Sequence, residues 1–365
     1  VSRLSPWIRH RIVTEEEVLA AVTARFAPST AEKFIQEVFW RTYWKGWLEM
    51  RPAVWATYRA GRARALDRVA TEEGLRRDWE AACRGETGLA PFDHWAQELV
   101  TTGYLHNHAR MWVASIWCFT LRLPWELGAD FFLRHLLDGD PASNTLGWRW
   151  VAGLQTPGKV YAARASNITK YTGGRFGAVH GLAKDPAPLE GPPNPPREPA
   201  PEPEAWTPGP GTGLLLTEDD LSPGWLLDAG LAPETTAVLD GTPARSPLEV
   251  APDVRAFARG AIDATLERYG DRLGRVGPVT SRPADIVAWA RESGLTRIVA
   301  PRPPVGPAAD LLEEARPELD AAGIGLVRAL RPYDAAAWPL ATHGFFRFKA
   351  HIPDLLARLP AADAA

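Results

Sequence analysis

Between Lys184 and Gly211 the chain places 11 of its 34 prolines, in the run KDPAPLEGPPNPPREPAPEPEAWTPGPG. Proline has a fixed φ and no amide hydrogen, so this run builds neither helix nor sheet. An extended, semi-stiff linker is the expected result. It divides a chain of 365 residues, longer than one domain usually is, into two parts. The expected organisation is a domain at 1–183, the linker at 184–211 and a second domain at 212–365.

The two parts differ in rhythm. In the first, VTEEEVLAAVTARF opens with Thr14 as an N-cap and Glu17 three residues on, a capping box before an apolar face. AEKFIQEVFWRTYWKGWLEM repeats Phe34, Trp40, Tyr43, Trp44 and Trp47 near helical spacing, and segments 91–101, 105–121 and 129–137 read as further helices. The second part alternates short apolar runs with helices. Strands are expected at GLLLTEDDL, TAVLDG, GPVTS, RIVAP and IGLVRAL, and helices at FARGAIDATLERYG, ADIVAWARESG and AADLLEEARPELDAAG. That alternation predicts a doubly wound parallel sheet with helices on both faces. The fold class is therefore multidomain, an all-helical part followed by an α/β part. Neither GxGxxG nor GxxxxGKS/T occurs, so the usual nucleotide fingerprints are missing.

Apolar residues make up 45 %, enough for a sizeable core and far from a disordered composition. The net charge of −3 conceals an asymmetry: residues 1–183 hold 23 Lys and Arg against 18 Asp and Glu, and residues 184–365 hold 18 against 26. Arg59, Arg62, Arg64 and Arg68 read either as one solvated helix face or as a phosphate-binding surface, and charge alone does not choose. Cys83 and Cys118 outline no disulfide framework and no zinc site, which fits a reducing cytoplasm. No signal-peptide pattern is read, and no apolar run reaches the roughly 20 residues that span a bilayer. Opening on Val1 fits a start inside a longer natural product. A cytoplasmic monomer is expected.

Twelve of the sixteen tryptophans fall in residues 1–183, too many for simple core filling. Residues 103–150 set Asn107, Arg110, Asp138, Asp140 and Asn144 among Trp112, Trp117, Trp125, Trp148 and Trp150. Buried charges cost several kcal/mol unless paired and hydrogen-bonded, so this mixture points to a large, flat, polar-edged guest such as a flavin. The competing reading is a plain buried salt bridge between Arg110 and Asp138 within an aromatic core.

The blocks SRLSPW, QEVFWR, TGYLHNHARM and LLDGDPASNTLGWRW, in that order, resemble the FAD-binding domain of the photolyase/cryptochrome family, from Ser2 to about Phe176. The resemblance implies an all-helical photolyase-type domain that binds FAD. In it Ser2, Leu4 and Ser5 would meet the cofactor diphosphate, where small donors before a helix suit phosphate. Arg110 and Asp138 match the ion pair beside the isoalloxazine, Gly139 and Asp140 the segment that clasps the flavin edge, and Asn144 the residue facing the reactive ring nitrogen. Phe34 and Arg41 complete the implied cofactor contacts, with Phe34 standing where many relatives keep tryptophan.

Glu37, Trp40, Asn107, Met111 and Trp150 match the lesion pocket. Trp40 and Trp150 offer indole faces to a flipped-out pyrimidine dimer. Glu37 would hydrogen-bond its carbonyl edge and stabilise the radical anion. Asn107 would bond both flavin and lesion, and Met111 is a polarisable contact. The competing reading of each aromatic alone is core packing. Asn107 and Met111 favour cyclobutane dimers over the (6-4) products, whose repair uses histidines there. Trp148 and Trp125 match the first two members of the photoreducing tryptophan chain. The third aligns with Glu72, the nearest indole is Trp79, and Trp117 or Trp112 could serve instead. The segment AARASNITKYTGGRF carries one extra residue, with Arg164 as the matching DNA contact.

ADIVAWARESGLTRIVAPRPPVGP and THGFFRFKAHIPDLL resemble the α/β antenna domain of the same family, here placed after the flavin domain rather than before it. Whether a second, antenna chromophore is bound stays open. The function implied is light-driven repair of cyclobutane pyrimidine dimers in UV-damaged DNA by electron transfer from excited reduced FAD, a deoxyribodipyrimidine photo-lyase activity. The alternatives are a cryptochrome-like blue-light photoreceptor that binds FAD without repair, and a flavoprotein that binds nucleic acid without repair.

Overall fold

Leu214, Leu215 and Leu216 lie in a strand buried on both faces, at the centre of a five-stranded sheet in the computed structural model, which describes residues 2–359. The strands are β1 (Thr212–Thr217), β2 (Thr235–Leu239), β3 (Arg275–Thr280), β4 (Arg297–Pro301) and β5 (Gly325–Ala329). They correspond to the five runs read as strands. All pairings are parallel, in the order β3-β2-β1-β4-β5, with one irregularity between Thr236 and Val238 against β3. A central parallel strand is covered on both sides, so it reads as a continuous apolar run rather than an alternating one.

Alternation along each strand feeds two cores. Leu215, Ala237, Leu239, Ile298 and Ala300 pack with Ile286 and Trp289 of the Pro283–Glu292 helix and with Leu312 and Leu319 of the Pro307–Ala321 helix. Leu214, Leu216, Val238 and Val299 pack with Leu226 and Leu227 of the Gly224–Asp228 turn of helix and with Ile262 of the Pro252–Tyr269 helix.

Packing divides the chain differently from the boundaries read in the sequence. One compact unit holds the residues up to Pro52, Arg197–Pro247 and the chain from Arg255; the other holds Ala53–Pro196 and Leu248–Val254. The opening residues thus pack with the sheet. Their Glu15–Thr23 helix has the expected capping box: Thr14 Oγ1 accepts the Glu17 amide at 3.2 Å, and Glu17 Oε2 accepts the Thr14 amide at 2.7 Å. The Glu32–Glu49 helix approaches the Trp338–Leu340 turn so closely at Gly46 that a Cβ would lie 2.7 Å from the Trp338 Cα. Thr42 and Tyr333 share a hydrogen bond of 2.9 Å, and Tyr43 donates to the His343 carbonyl at 2.7 Å.

The second unit is helical: Ala53–Thr71, Glu73–Arg84, Ala90–Thr102, Asn107–Ser115 running into one π turn at Ile116–Thr120, Trp125–His135, Pro141–Val151 and Ala165–Tyr171. The proline-rich stretch contains no helix or strand, but it is tied down. Arg149 donates to Asn194 at 2.8 Å within the helical unit, and Glu204 accepts from the Arg328 amide at 2.8 Å within the sheet unit. A helical region followed by a five-stranded parallel α/β sheet is the observed architecture.

Candidate functional site

In the helical unit the Asn107–Ser115 helix begins at His106, whose ring accepts the His108 amide at 3.3 Å. One turn in, Arg110 donates from Nη2 to Asp138 Oδ2 at 2.9 Å and from Nε to the Leu105 carbonyl, also at 2.9 Å. The Asp138 side chain is 3 % exposed and that of Arg110 24 %, so the pair is shielded on the acid's side and reachable on the base's. The chain then turns through Gly139 to Asp140, which caps the Pro141–Val151 helix by accepting the Ser143 amide at 2.7 Å. Part of the reason for an acid at this position is helical: a carboxylate at an N-terminus satisfies an orphan amide and complements the helix dipole.

That helix carries Asn144, Trp148 and Trp150. Asn144 is buried and donates from Nδ2 to the Ala129 carbonyl at 2.8 Å, which fixes its amide and leaves its carbonyl oxygen for other partners. Trp148 fits against Gly128, where any Cβ would overlap its ring. Its Nε1 is buried without a hydrogen-bond partner among the described residues, as is the Thr145 hydroxyl. Trp148 meets Trp117 edge-on at 6.1 Å, and the Trp117 Nε1 donates to the Pro124 carbonyl at 2.9 Å. Trp125 lies 5.7 Å from Tyr58, which lies 5.3 Å from Trp55. Trp150 is exposed and stacked on Tyr161 at 5.6 Å; Asn107 is exposed and Met111 half-buried.

The remaining residues singled out in the sequence, Ser2, Leu4, Ser5, Phe34, Glu37, Trp40 and Arg41, belong to the sheet unit. The Leu4 amide meets Ser2 Oγ at 3.5 Å, and Ser5 opens the Ser5–Arg9 helix. Phe34, Glu37 and Arg41 share a stripe of the Glu32–Glu49 helix, at spacings of three and four. Glu37 is exposed. Trp40, expected to present its indole to a lesion, has one face covered: Phe345 stacks on it at 3.7 Å with only 12° between the planes.

Sequence reading missed a buried charged cluster at the carboxyl end of β1. Arg9 pairs with Asp219, and His10 Nδ1 donates to the Glu218 carbonyl at 2.6 Å. Arg11 holds Asp334 through two bonds of 2.7 Å, Asp220 at 3.1 Å and Glu15 at 3.2 Å, while Arg331 holds Asp220 at 2.7 Å. Burial, with Asp219 and Asp240 adding repulsion, pushes the Glu218 carboxyl up to about 8. Burial also holds His10 well below its ordinary 6.5, aided by Arg9 and Arg245. Asp220 behaves oppositely: burial would raise it, but Arg331 and Arg11 bring it below 3.8. The signal was present, since TEDD directly follows an apolar strand and such an acidic run needs partners. Open α/β sheets bind ligands at the carboxyl ends of strands where the order reverses, here between β1 and β4, and the β1 end of that position is filled by the protein's own side chains.

The described residues contain no group of acids, histidines and cysteines able to hold a metal, and no helix long and apolar enough to cross a membrane.

Comparison with known proteins matches a segment that begins in the Glu32–Glu49 helix of the sheet unit and runs through most of the helical unit. A family model for the FAD binding domain of DNA photolyase matches residues 34–173. The deoxyribodipyrimidine photo-lyase of Streptomyces griseus is 35 % identical over 156 residues, 42 % of this chain and 32 % of that protein. The enzyme of Alkalihalophilus pseudofirmus is 32 % identical over 170 residues, 46 % and 35 % of the two chains, and that of Thermus thermophilus 36 % identical over 160 residues, 42 % and 35 %. The matched segment thus spans about a third of the length of these curated relatives. No solved structure matches significantly. Residues 34–173 are a photolyase-family FAD-binding domain, and through them the chain is a distant homologue of the deoxyribodipyrimidine photo-lyases.

Proposed function

We propose that the protein binds FAD and uses light to split cyclobutane pyrimidine dimers in UV-damaged DNA, a carbon-carbon lyase activity. The observation that carries this reading is the shielded Arg110–Asp138 pair inside the segment that matches the FAD-binding model. The donor set suits a flavin edge: a carboxylate for a ring N–H, a guanidinium for electron-rich ring atoms, and two amides, Asn107 and Asn144, that bond either redox form. Bound and reduced, FAD would supply the light-excited electron, and the residues supply position and electrostatics. In this reading Ser2, Leu4, Ser5, Phe34 and Arg41 hold the rest of the cofactor, with Gly139 and Asp140.

Glu37 and Asn107 act on the substrate, hydrogen-bonding its carbonyl edge as charge develops there. Trp40, Met111 and Trp150 exclude water from its faces. A dimer already distorts the helix it sits in, which lowers the cost of flipping it out. Trp148 and Trp125 carry reducing equivalents inward, and Trp125, Tyr58 and Trp55 form a contiguous aromatic run in place of the expected third tryptophan. The assay is direct: a dimer-containing oligonucleotide, reductant and blue light, followed by loss of dimers. Unchanged dimers with FAD-loaded protein would overturn the repair reading.

One observation favours a second reading, a cryptochrome-like receptor that binds FAD without repair. Phe345 occupies a face of Trp40 that a dimer-stacking residue would need if the lesion approached from that side. The same assay decides between them.

A further inference from the structure

Four rings stack in series in the helical unit, and the last one is open to solvent. Trp95 lies on Trp112 at 5.1 Å and 26°, Trp112 on His108 at 5.7 Å and 18°, and His108 on Tyr171 at 5.0 Å and 30°. Trp95 and Trp112 are buried, whereas Tyr171 is 55 % exposed. The Ala165–Tyr171 helix that presents Tyr171 is tied to the stack by Trp112 Nε1, which donates to Asn167 at 3.1 Å. Exposed aromatic rings held flat by a buried base are platforms on which a further planar group can continue the series.

The chain segment that carries Tyr171 bears exposed charge of one sign, with Glu98 of the Trp95 helix, paired to His94 at 3.6 Å, the nearby acid. From Pro141 to Lys184 the chain contains no Asp or Glu, while Lys159, Arg164, Lys170, Arg175 and Lys184 are all exposed. None of the five is ion-paired among the described residues. Lys170 lies 5.4 Å from the Tyr171 ring centre, and Arg175 lies 5.6 Å from that of Phe176. Unpaired cations interleaved with an exposed ring suit a polyanion whose repeating unit is also planar: a nucleic-acid strand with its bases unpaired. His108 is the neighbour in sequence of Asn107 and stands one turn before Met111, so the platform adjoins residues assigned to the lesion pocket.

We propose that Tyr171 stacks an unpaired base of the DNA strand flanking the lesion, with Lys159, Arg164, Lys170 and Arg175 along its phosphates, and that the protein prefers single-stranded to duplex DNA. This rests on the repair reading for the identity of the strand, and extends it to a contact and a preference that the family match does not assign. A base in a duplex already stacks on its neighbours on both sides, so Tyr171 gains nothing from it without unstacking it first.

Fluorescence anisotropy with a labelled, dimer-free oligothymidylate and with a duplex of equal length tests the proposal, using the full chain. Wild type should bind the single strand more tightly. Tyr171→Ala should weaken that binding about 5- to 150-fold, the range for one lost base–aromatic stack, and leave duplex binding and flavin content unchanged. Tyr171→Trp should retain the affinity, and Lys170→Gln with Arg175→Gln should flatten its salt dependence. Failure of wild type to bind oligothymidylate, or a Tyr171→Ala variant that binds as wild type or loses single strand and duplex equally, would overturn it. Dimer splitting is read separately: splitting with Tyr171-independent binding defeats the platform alone, and Tyr171-dependent binding without splitting defeats the repair reading alone.

Discussion

Arg11 and Asp334, 323 residues apart in the chain, are joined by two parallel hydrogen bonds of 2.7 Å, both side chains 2 % exposed. The guanidinium also serves Asp220 and Glu15, so it is the hub three acids share, with Arg331 on Asp220 and Lys45 near Glu15 adding positive charge. Removing one partner of such a buried set leaves the others uncompensated, which typically costs about 3–5 kcal/mol. Arg11→Met should therefore lower the unfolding free energy, read from urea titration, by that amount. A loss below about 1 kcal/mol would mean water reaches the acids.

Glu218 sets a pH dependence. Its carboxyl rises from an ordinary 4.5 to about 8 in the folded protein, so between these values the folded state holds a proton that the unfolded chain has released. Stability from this group is complete below 4.5 and declines as pH rises toward 8. His10 acts in the opposite sense, being depressed below 6.5 on folding. Comparing wild type with Glu218→Gln isolates the acid, because the amide still accepts the Gly241 N–H now received by Glu218 Oε2 at 2.7 Å. The wild type should lose stability relative to the variant from pH 5 to 8, measured as urea midpoints; parallel curves would show that Glu218 is ionised throughout.

Cofactor retention is expected to depend on Asp138. Purified protein should be yellow and release FAD, not FMN, on denaturation. Asp138→Asn keeps the shape but removes the charge that orients Arg110, and losing a charge-assisted hydrogen bond of about 1.5–3 kcal/mol predicts roughly 10- to 150-fold weaker FAD binding. Equilibrium dialysis with far-UV circular dichroism as the folding control gives the answer. Unaltered affinity would reduce the pair to a structural salt bridge.

Glu37→Ala should leave FAD bound and lower the quantum yield of dimer splitting, since the substrate loses a hydrogen-bond partner. Trp40→Ala should weaken dimer binding by about 1–3 kcal/mol if the uncovered face stacks on the lesion. Phe345→Ala supplies the contrast. Phe345 is 4 % exposed, and its truncation should cost stability, about 3–5 kcal/mol for a core phenylalanine. Repair at wild-type rates in both Glu37→Ala and Trp40→Ala would locate the pocket elsewhere.

Local pattern carried much of this structure. The capping box at Thr14 and Glu17 and the apolar runs of β1 to β5 are short-range features, and periodicity reads them directly. The Arg110–Asp138 pair was legible through the family resemblance of the two motifs that carry it. For the grip of Arg9 and Arg11 on Asp219, Asp220 and Asp334 the acidic run after β1 signals a need for partners but not which ones, since either arginine could equally face water. Phe345 on Trp40 was hidden for the same reason: each aromatic fits its own helix, and only the tertiary arrangement brings the rings together.

The discontinuity of the sheet unit has a consequence for birth order on the ribosome. Residues 53–196, the larger part of the helical unit, are made before β1. Arg9 and Arg11 precede their acids by some two hundred and three hundred residues. At roughly 5–20 residues per second this is a wait of tens of seconds, during which the apolar flank of the Glu32–Glu49 helix lacks Tyr333, Trp338 and Phe345, which cover it in the folded protein. Newly made protein should therefore engage chaperones through the Glu32–Glu49 helix, and release should coincide with synthesis of the segment around Asp334.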